Sequence, residues 1–330
     1  MEKKNIGQLL SAALERRRRM LDSDSKHRGA WRLFNGFTEG DPDLVIDLLG
    51  RTAVIHDYAK ACAGRDDAAA FLQSKLDFLQ CILLKRRHSE VTSERNGILL
   101  YGEKCDSFIE EQSVRYAVDP VMNHDCSFYS DTRNLRRYLL ENMRGKQILN
   151  TFAYTGSLGV AAAAGGAAGV LQTDLSGKFM NLAYRSASLN GFAFTRKNFC
   201  AGDFFPVISR LRREQRKFDC VILDPPFFSS TSRGVIDLAN NPLGVINKVR
   251  PLVADNGILI VVNNSLYLSG SAFMEQLDSI CDGEYLRLAG TIPIPEDFCF
   301  KCDGASMPYP ADPAPFNHPT KIVLLEVHCQ

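Results

Sequence analysis

Short apolar segments alternate with helical patterns from about residue 132 to the end of the chain. Strands that alternate with helices in this way are typical of a parallel α/β sheet. Two later strand-like segments, 286–293 and 321–327, flank a proline-rich loop and predict an antiparallel pair at the sheet edge. The pattern predicts a doubly wound, mostly parallel seven-stranded sheet, whose first five strands fall near 147–151, 169–173, 196–199, 219–223 and 258–263.

The first part of the chain has a different pattern, which predicts a small α+β unit. Leucines along residues 5–22 face one side of an amphipathic helix, and arginines face the other. The segments that follow predict a β-hairpin, a helix and two more strands, over 31–58, 66–84, 97–101 and 107–110.

The length of the chain predicts more than one domain. A chain of 330 residues is longer than a single hydrophobic core usually supports, so we expect an accessory domain over 1–115 and a larger domain over 116–330.

The net charge is nearly balanced, since Lys and Arg number 39 against 38 Asp and Glu. This balance neither indicates nor excludes a nucleic-acid partner, because local patches carry the electrostatics. The basic clusters at 16–19, 85–88 and 210–213 are typical of solvated helix faces.

The sequence favours a cytoplasmic protein. No apolar run approaches the roughly 18 residues that span a bilayer, and the N-terminal residues lack the apolar segment of a secretory signal. The ten cysteines have no disulfide-scaffold spacing, which favours reduced thiols.

Cys299 and Cys302 have metal-ligand spacing, but one pair is half a zinc site unless Cys281, His318 or Cys329 completes it. We therefore predict no metal.

The strongest candidate chemistry lies in residues 146–156, where the first strand of the α/β pattern ends. Gly156 and Gly159 allow a tight turn into an alanine-rich helix, which brings backbone N–H groups near a ligand at the carboxyl edge of the sheet. About 20 residues later, Asp174 ends the second strand. A carboxylate there accepts hydrogen bonds from two ribose hydroxyls, so the spacing predicts a nucleotide-type ligand.

Two further candidate sites follow the third and fourth strands. The carboxylate of Asp203 can accept from the exocyclic amine of a purine or cap the next helix, and both interpretations stay open. Residues 224–228 are Asp, two prolines and two phenylalanines. The prolines stiffen this loop, which offers fixed carbonyl oxygens and an aromatic face to a planar substrate ring.

These motifs together resemble the class I S-adenosylmethionine-dependent methyltransferases, in the segments 150–156, 174–176, 190–191, 202–203 and 224–227. The closer likeness is to the bacterial 23S ribosomal RNA large-subunit methyltransferases that modify cytosine C5 or guanine N7. Three other segments are similar to motifs of that family, at 35–50, 128–136 and 316–321. The resemblance covers the chain from about residue 30 to its end. It implies a Rossmann-like methyltransferase domain with S-adenosylmethionine as cofactor.

The resemblance also implies roles for individual residues. Asp174 would bind the ribose of the cofactor and Asp203 its adenine, while Asp131 and Arg133 would close the pocket. A guanidinium suits the methionine carboxylate, although a surface ion pair at a helix start explains Arg133 equally well. The other residues expected at the cofactor are Asn150, Phe152, Tyr154 and Gly156 around the methionine moiety, and Asp224.

The residues expected to carry catalysis are Asp224, Pro225 and Phe227. Methylation at cytosine C5 needs a thiolate that adds to the ring. Residues 262–265, at the end of the fifth strand, contain no thiol, and Cys220 lies inside a strand where it should be inert. Nitrogen methylation needs no covalent step, because the lone pair attacks the methyl group in line. Asp224 and the Pro225 carbonyl would accept hydrogens from an amine, and Phe227 would stack on the base.

We therefore expect a methyltransferase (EC 2.1.1.-) that acts on a base of ribosomal or other structured RNA, more readily at nitrogen than at cytosine C5. The accessory domain over 1–115 would contact RNA phosphates. Two alternatives stay open: a methyltransferase acting on a protein side chain or small molecule, and a protein that binds RNA or cofactor without turnover. A nicotinamide-dependent dehydrogenase is excluded, because residues 150–156 lack the G-x-G-x-x-G spacing.

Overall fold

The computed structural model describes residues 5–60, 65–237, 240–266, 268–281, 283, 285–298 and 319–328. The chain forms two units, Met1–Ser130 and Asp131–Gln330. Residues 116–130, which the sequence pattern assigned to the second domain, make their contacts within the first unit. The functional boundary at residue 115 stays a prediction. Within the described part of the chain, no helix is both long and apolar enough to cross a membrane.

A five-stranded sheet organises the first unit. Its strands pair in chain order: β1 (Ala30–Asn35), β2 (Leu44–Leu49), β3 (Thr52–Asp57), β4 (Cys81–Arg86) and β5 (Ile98–Gly102). Strands β3 and β4 are parallel, and the other neighbours are antiparallel. The unit also contains a hairpin of β6 (Phe108–Glu111) and β7 (Val114–Ala117), and the helices α1 (Ile6–Ser23), α2 (Asp66–Lys75) and α3 (Thr92–Asn96).

The structure confirms the amphipathic helix, the hairpin and the two later strands of this unit. The helix predicted over 66–84 is wrong in its second half, because α2 ends at Lys75 and residues 81–86 form β4. Periodicity alone cannot separate a short buried helix from a buried strand in the apolar run that opens β4. The neighbouring strand decides the conformation of this run, because β4 pairs with β3, beginning at Cys81 and Thr52.

Two residues of the basic clusters are buried, so the expectation of fully solvated clusters is wrong at these positions. Arg17 is 1% exposed and donates to the two carboxylate oxygens of Glu39 at 2.8 and 3.0 Å. Lys85 is buried, and its ammonium donates to the backbone carbonyls of Asn96 and Asn123. Burial lowers the pKa of Lys85 to about 8.

The second unit is built on the predicted seven-stranded, mostly parallel sheet. The strands of the sheet are β8 (Gln147–Thr151), β9 (Gly169–Asp174), β10 (Phe199–Ala201), β11 (Phe218–Leu223), β14 (Val253–Asn263), β15 (Leu286–Ile292) and β16 (Lys321–Val327). They lie in the order β10-β9-β8-β11-β14-β16-β15, and β16 is antiparallel to both of its neighbours. The antiparallel pair expected at the sheet edge is thus confirmed. A separate hairpin, which the sequence pattern did not predict, joins β12 (Phe228–Thr231) and β13 (Gly234–Asp237).

Helices pack against both faces of this sheet, and the central strands therefore need apolar residues on both sides. In the hydrophobic core, Leu149, Val221 and Leu223 lie in one cluster, while Ile148, Cys220 and Ile222 lie in another. Each fully buried side chain of this kind contributes about 1.5–3 kcal/mol to stability. The helices are α4 (Arg133–Asn142), α5 (Ser157–Ala164), α6 (Gly177–Leu189), α7 (Phe204–Arg213), α8 (Pro242–Val249) and α9 (Gly270–Cys281).

The order of the strands predicts a ligand-binding crevice beside β8. The chain builds outward from β8 through β9 to β10, then returns to add β11 on the other side of β8. Open α/β sheets bind ligands at such a reversal, outside the carboxyl ends of the strands. Thr151 at the end of β8 is in register with Thr173 of β9 and Leu223 of β11. The loops that follow these three strands consequently leave the same edge side by side.

Candidate active site

The loop between β8 and α5 has a strained backbone. Phe152, Tyr154 and Gly156 have φ angles of +52°, +49° and +80°. For a residue with a side chain, this left-handed conformation costs about 1–2 kcal/mol. The turn is held by hydrogen bonds from the Ala153 N–H to the Thr173 carbonyl and from the Gly156 N–H to the Ala153 carbonyl. Strain that is fixed by surrounding structure is characteristic of ligand-binding loops.

Close packing explains the two glycines of the loop. A Cβ on Gly156 would lie 2.4 Å from the Ala183 Cβ and 2.8 Å from the Gln172 Oε1. A Cβ on Gly159 would lie 2.4 Å from the Gln172 Cδ. The predicted tight turn into an alanine-rich helix is confirmed, since α5 begins at Ser157 directly after Gly156.

Asn150 lies beneath the strained loop and is fully buried. Its side-chain Nδ2 donates to the Oε1 of Gln172 at 3.1 Å, across the β8–β9 pair. Among the described residues, Asn150 Oδ1 and Gln172 Nε2 have no hydrogen-bond partner. An acceptor and a donor left without partners in a buried site are costly unless a ligand engages them. Gln172 was not predicted as a site residue, and only its register with Asn150 reveals it.

Asp174 is the last residue of β9, and its carboxylate accepts a hydrogen bond from the loop after β8. Its Oδ2 accepts from the Tyr154 N–H at 2.9 Å, and its Oδ1 accepts from the Ser176 N–H at 2.9 Å. Burial raises the pKa of Asp174, while these backbone hydrogen bonds oppose the rise. A carboxylate offers about four lone-pair sites. The backbone donors, which include Leu175, occupy part of this capacity, and a remaining lone pair can accept from a ribose hydroxyl.

Asp203 lies at the same edge and caps α7. Its Oδ1 accepts from the Phe205 N–H at 2.9 Å. This capping bond uses one carboxylate oxygen, so the two interpretations of Asp203 are compatible. The Phe204 ring, which follows directly, stacks on Phe152 with centroids 4.6 Å apart. The loop after β8 and the start of α7 are therefore joined by aromatic packing.

Asp224 and Asp131 form an electrostatically coupled pair of carboxyl groups. Burial and the nearby charge of Asp131 raise the pKa of Asp224 to about 7. Asp131 precedes α4, and its Oδ2 accepts a hydrogen bond from the Thr320 hydroxyl at 2.9 Å. Two carboxylates that share a site resist simultaneous ionisation. Asp224 is thereby suited to exchange a proton near neutral pH.

Arg133 forms a bidentate ion pair with Asp297. Its two terminal nitrogens donate to the two oxygens of Asp297 at 2.9 and 3.0 Å, and Asp297 is fully buried. Arg133 therefore forms an ion pair, but the expectation of a surface pair is wrong because this pair is buried. A role with the methionine carboxylate stays a prediction. No local sequence pattern pointed to Asp297, which lies 164 residues from Arg133.

The loop after β11 presents residues of graded exposure. Pro225 is buried, Phe227 is half-buried, and Phe228 is 58% exposed at the start of β12. Across the sheet, Asn263 and Ser265 are buried at the end of β14, where the Asn263 Oδ1 accepts from the Ser265 N–H at 2.9 Å. Both residues carry oxygen or nitrogen, and neither carries a thiol.

Several sequence predictions concern residues that lie outside the described part of the chain. These are the cysteine pair Cys299 and Cys302, together with His318, Cys329 and the first residues of the 316–321 segment. Cys281, the remaining candidate ligand, lies at the end of α9 and is half-buried.

The first unit contains a second cluster of polar groups. Asp47, His56 and Cys126 are buried, with potential ligand atoms within 4.8 Å of one another. Burial alone would raise the pKa of Asp47, but the charge of Arg32, 2.7 Å away, and the contact with His56 bring it down to about 2. The Cys126 thiol donates to the Phe128 carbonyl at 3.3 Å. The carboxylate and thiol thus already have protein partners, which fits a structural core network.

The fold is that of a class I methyltransferase, which uses S-adenosylmethionine as methyl donor. A family model of S-adenosylmethionine-dependent methyltransferases matches residues 70–286, and the chain belongs to that family. A structure of SMU.776 complexed with SAH superposes with a TM-score of 0.81 at 22% identity, covering 97% of this chain and 80% of that one.

Sequence comparison finds relatives of this chain among the ribosomal RNA large subunit methyltransferases. The chain is 32% identical to ribosomal RNA large subunit methyltransferase K of Neisseria meningitidis, over 82% of this chain and 77% of that protein. It is 29% identical to ribosomal RNA large subunit methyltransferase I of Aeromonas salmonicida, over 82% of this chain and 73% of that protein. The predicted resemblance to this group of enzymes is confirmed.

Proposed function

We propose that this methyltransferase modifies a nitrogen of a base in ribosomal or other structured RNA. The observation that carries the proposal is the place of Asp224 directly after β11, where burial and the negative charge of Asp131 raise its pKa to about 7. Methylation of a nitrogen that carries hydrogen, such as an exocyclic amine, releases one proton, whereas methylation of guanine N7 releases none. A carboxylate titrating near neutral pH is matched to accept it.

The residues around the strained loop fit the cofactor. Asp174 would accept from the ribose hydroxyls, and Asp203 from the adenine amine, by the acceptor capacity left on each carboxylate. Asn150, Phe152, Tyr154 and Gly156 would enclose the methionine moiety, and the unpartnered Asn150 Oδ1 would accept from its ammonium. Asp131 and Arg133 would close the pocket. The cofactor supplies an electrophilic methyl group on a sulfonium.

The loop after β11 would hold the acceptor base. Asp224 and the Pro225 carbonyl would accept hydrogens from the reacting amine and so direct its lone pair toward the methyl group. The half-buried Phe227 would stack on the base. Positioning of this kind supplies most of the rate in a displacement that forms no covalent enzyme intermediate.

Two observations support nitrogen over cytosine C5. The described end of β14 carries Asn263 and Ser265 where C5 chemistry would need a thiolate. Burial inside β11 raises the pKa of the Cys220 thiol to about 12. A thiol with that pKa, packed in the core, supplies almost no nucleophile at neutral pH.

An RNA acceptor is supported by the similarity to two ribosomal RNA methyltransferases and by the exposed arginines of α1. Arg16, Arg18 and Arg19 face solvent on this helix, whereas Arg17 is tied to Glu39. Contacts from such side chains to phosphates position RNA without reading its sequence. Under this proposal the first unit contributes binding and the second unit contributes chemistry.

Modified-nucleoside mapping tests the proposal directly. Ribosomal RNA from a strain lacking the gene should lose one N-methylated nucleoside by mass spectrometry, and the purified enzyme with S-adenosylmethionine should restore it. The Asp224→Ala variant should not restore it. A restored 5-methylcytosine would overturn the nitrogen assignment. Methyl label appearing in protein or small molecules, with none in RNA, would overturn the RNA acceptor.

A further inference from the structure

The thiols of Cys81 and Cys105 face each other in the first unit. Their sulfur atoms lie 3.0 Å apart, and both cysteines are free. A disulfide bond measures about 2.05 Å, so an approach of about 1 Å would suffice to form one. Cys126, by contrast, donates to a backbone carbonyl, and Cys220 lies in the core of the second unit.

Backbone packing holds the two cysteines in position. Cys81 begins β4 and pairs with Gly102 at the end of β5. Gly102 has a φ of +79°, and a Cβ there would lie 1.8 Å from the Gln80 carbonyl oxygen. This close approach turns the chain back, so that Cys105 returns over the start of β4. The pairing is therefore built into the turn.

Hydrogen bonds also hold Asp106, the residue after Cys105. The Asp106 N–H donates to the Thr52 hydroxyl at 2.8 Å, and the Asp106 carboxylate accepts from the Arg51 N–H at 2.6 Å. Thr52 is itself in register with Cys81 across β3 and β4. Both sides of the thiol pair are thus anchored to the same part of the sheet, which reduces the entropy lost when a bond forms.

We propose that Cys81 and Cys105 are a reversible modification site, which forms an intramolecular disulfide when the protein meets a small-molecule disulfide such as oxidised glutathione. Cys105 is partly exposed, whereas Cys81 is fully buried. Access therefore makes Cys105 the first sulfur to react. The Cys81 thiol, which lies within hydrogen-bond distance, lowers the pKa of Cys105 and assists that step.

The exchange balances in two steps. The Cys105 thiolate attacks one sulfur of oxidised glutathione, forming a mixed disulfide and releasing one glutathione thiolate. The Cys81 sulfur then attacks the Cys105 sulfur and passes its proton to the departing glutathione sulfur, which breaks the mixed disulfide and releases the second glutathione. The two protein thiols are oxidised and one glutathione disulfide is reduced to two thiols. A dithiol reductant reverses both steps.

The product would close a loop of 24 residues that contains β4, α3 and β5. Cross-links of that length restrict the unfolded chain. The oxidised protein should therefore melt at a temperature higher by roughly 5 °C or more, and a dithiol reductant should abolish the increase.

Peptide mapping of the full chain tests the proposal. The protein is incubated with oxidised glutathione, remaining thiols are alkylated, and peptides are identified by mass spectrometry before and after reduction. The expected result is a reducible cross-link joining Cys81 to Cys105. The Cys105→Ser variant should lack it, and the Cys200→Ser variant, which alters a half-buried cysteine of the second unit, should keep it.

Peptide mapping of the wild-type protein tests the proposal even if a variant folds poorly. A stable glutathione adduct on Cys105, with Cys81 still available for alkylation after denaturation, would overturn the proposal. So would a cross-link that joins either cysteine to a different partner.

Discussion

The Asp174 carboxylate accepts a hydrogen bond from the Tyr154 N–H, 2.9 Å away, and so ties the end of β9 to a residue with a φ of +49°. The same carboxylate also holds the Ser176 N–H. One side chain therefore shapes the loop after β8. Under the proposed function, the same carboxylate would also accept from the cofactor ribose.

Replacement of Asp174 by Ala should weaken S-adenosylmethionine binding by about 100-fold or more, because two charge-assisted hydrogen bonds to the ribose are lost. Isothermal titration calorimetry measures the change. Asp219→Ala is the matched control, since Asp219 also accepts a backbone N–H, from Gln147 at 2.7 Å, but at the opposite edge of the sheet. Unchanged affinity in the Asp174 variant would remove this residue from the site.

The Asp224→Asn variant should bind cofactor almost normally and lose about 10²–10⁴-fold in turnover, as expected when a general base is removed. Asn keeps the size of the side chain but cannot accept the proton. Single-turnover methylation with labelled cofactor measures the effect beside calorimetry. Wild-type turnover in this variant would contradict the proton-acceptor role.

The pH dependence of activity and of stability should run in opposite directions. Turnover requires ionised Asp224, so kcat/KM should rise as the pH passes through about 7. The raised pKa means that the folded state holds this proton more tightly than the unfolded chain does. The stabilisation is present below the ordinary aspartate pKa of about 4 and is lost as the pH rises toward 7.

Thermal melts of wild type and Asp224→Asn across pH 5 to 8 check the stability part. Wild type should lose stability over that interval, and the variant should lose less because it has no proton to release at this position. Parallel curves would show that Asp224 does not titrate in the way proposed.

Arg133→Met should destabilise the protein by about 3–5 kcal/mol, because it leaves the buried Asp297 carboxylate without its partner. The double variant Arg133→Met with Asp297→Asn should recover most of that loss in urea denaturation. Cofactor affinity then separates the two roles of Arg133. Weak binding that persists in the stable double variant supports a contact with the methionine carboxylate, whereas recovered binding assigns Arg133 to structure alone.

Gly156→Ala should cost about 2–4 kcal/mol, since the new Cβ combines a left-handed backbone with a 2.4 Å approach to Ala183. Gly191→Ala is the control, because Gly191 has a similar φ of +70° and no atom within 4 Å of the added Cβ. Its cost should be about 1–2 kcal/mol, from the backbone alone. Equal losses in chemical denaturation would show that crowding at Gly156 is relieved elsewhere.

Much of the α/β unit was predictable because its signals are local. The apolar runs at β8, β9 and β11 are buried on both faces, and Gly156 and Asp174 follow them at the spacing of a nucleotide-binding turn. The strand β4 and the β12–β13 hairpin escaped prediction, since their short segments acquire a defined structure only from the strand that pairs with them.

By itself, the sequence determined the strand–helix alternation of the second unit, the methyl donor and the carboxylates at the sheet edge, because each depends on residues within a few positions of one another. Only the tertiary structure decided how those residues act together. It brought Asp297 to Arg133, Gln172 to Asn150 and Asp131 to Asp224. Ion pairing, buried polar partners and a raised pKa depend on distances through space, and chain topology sets those distances across separations of 22 to 164 residues.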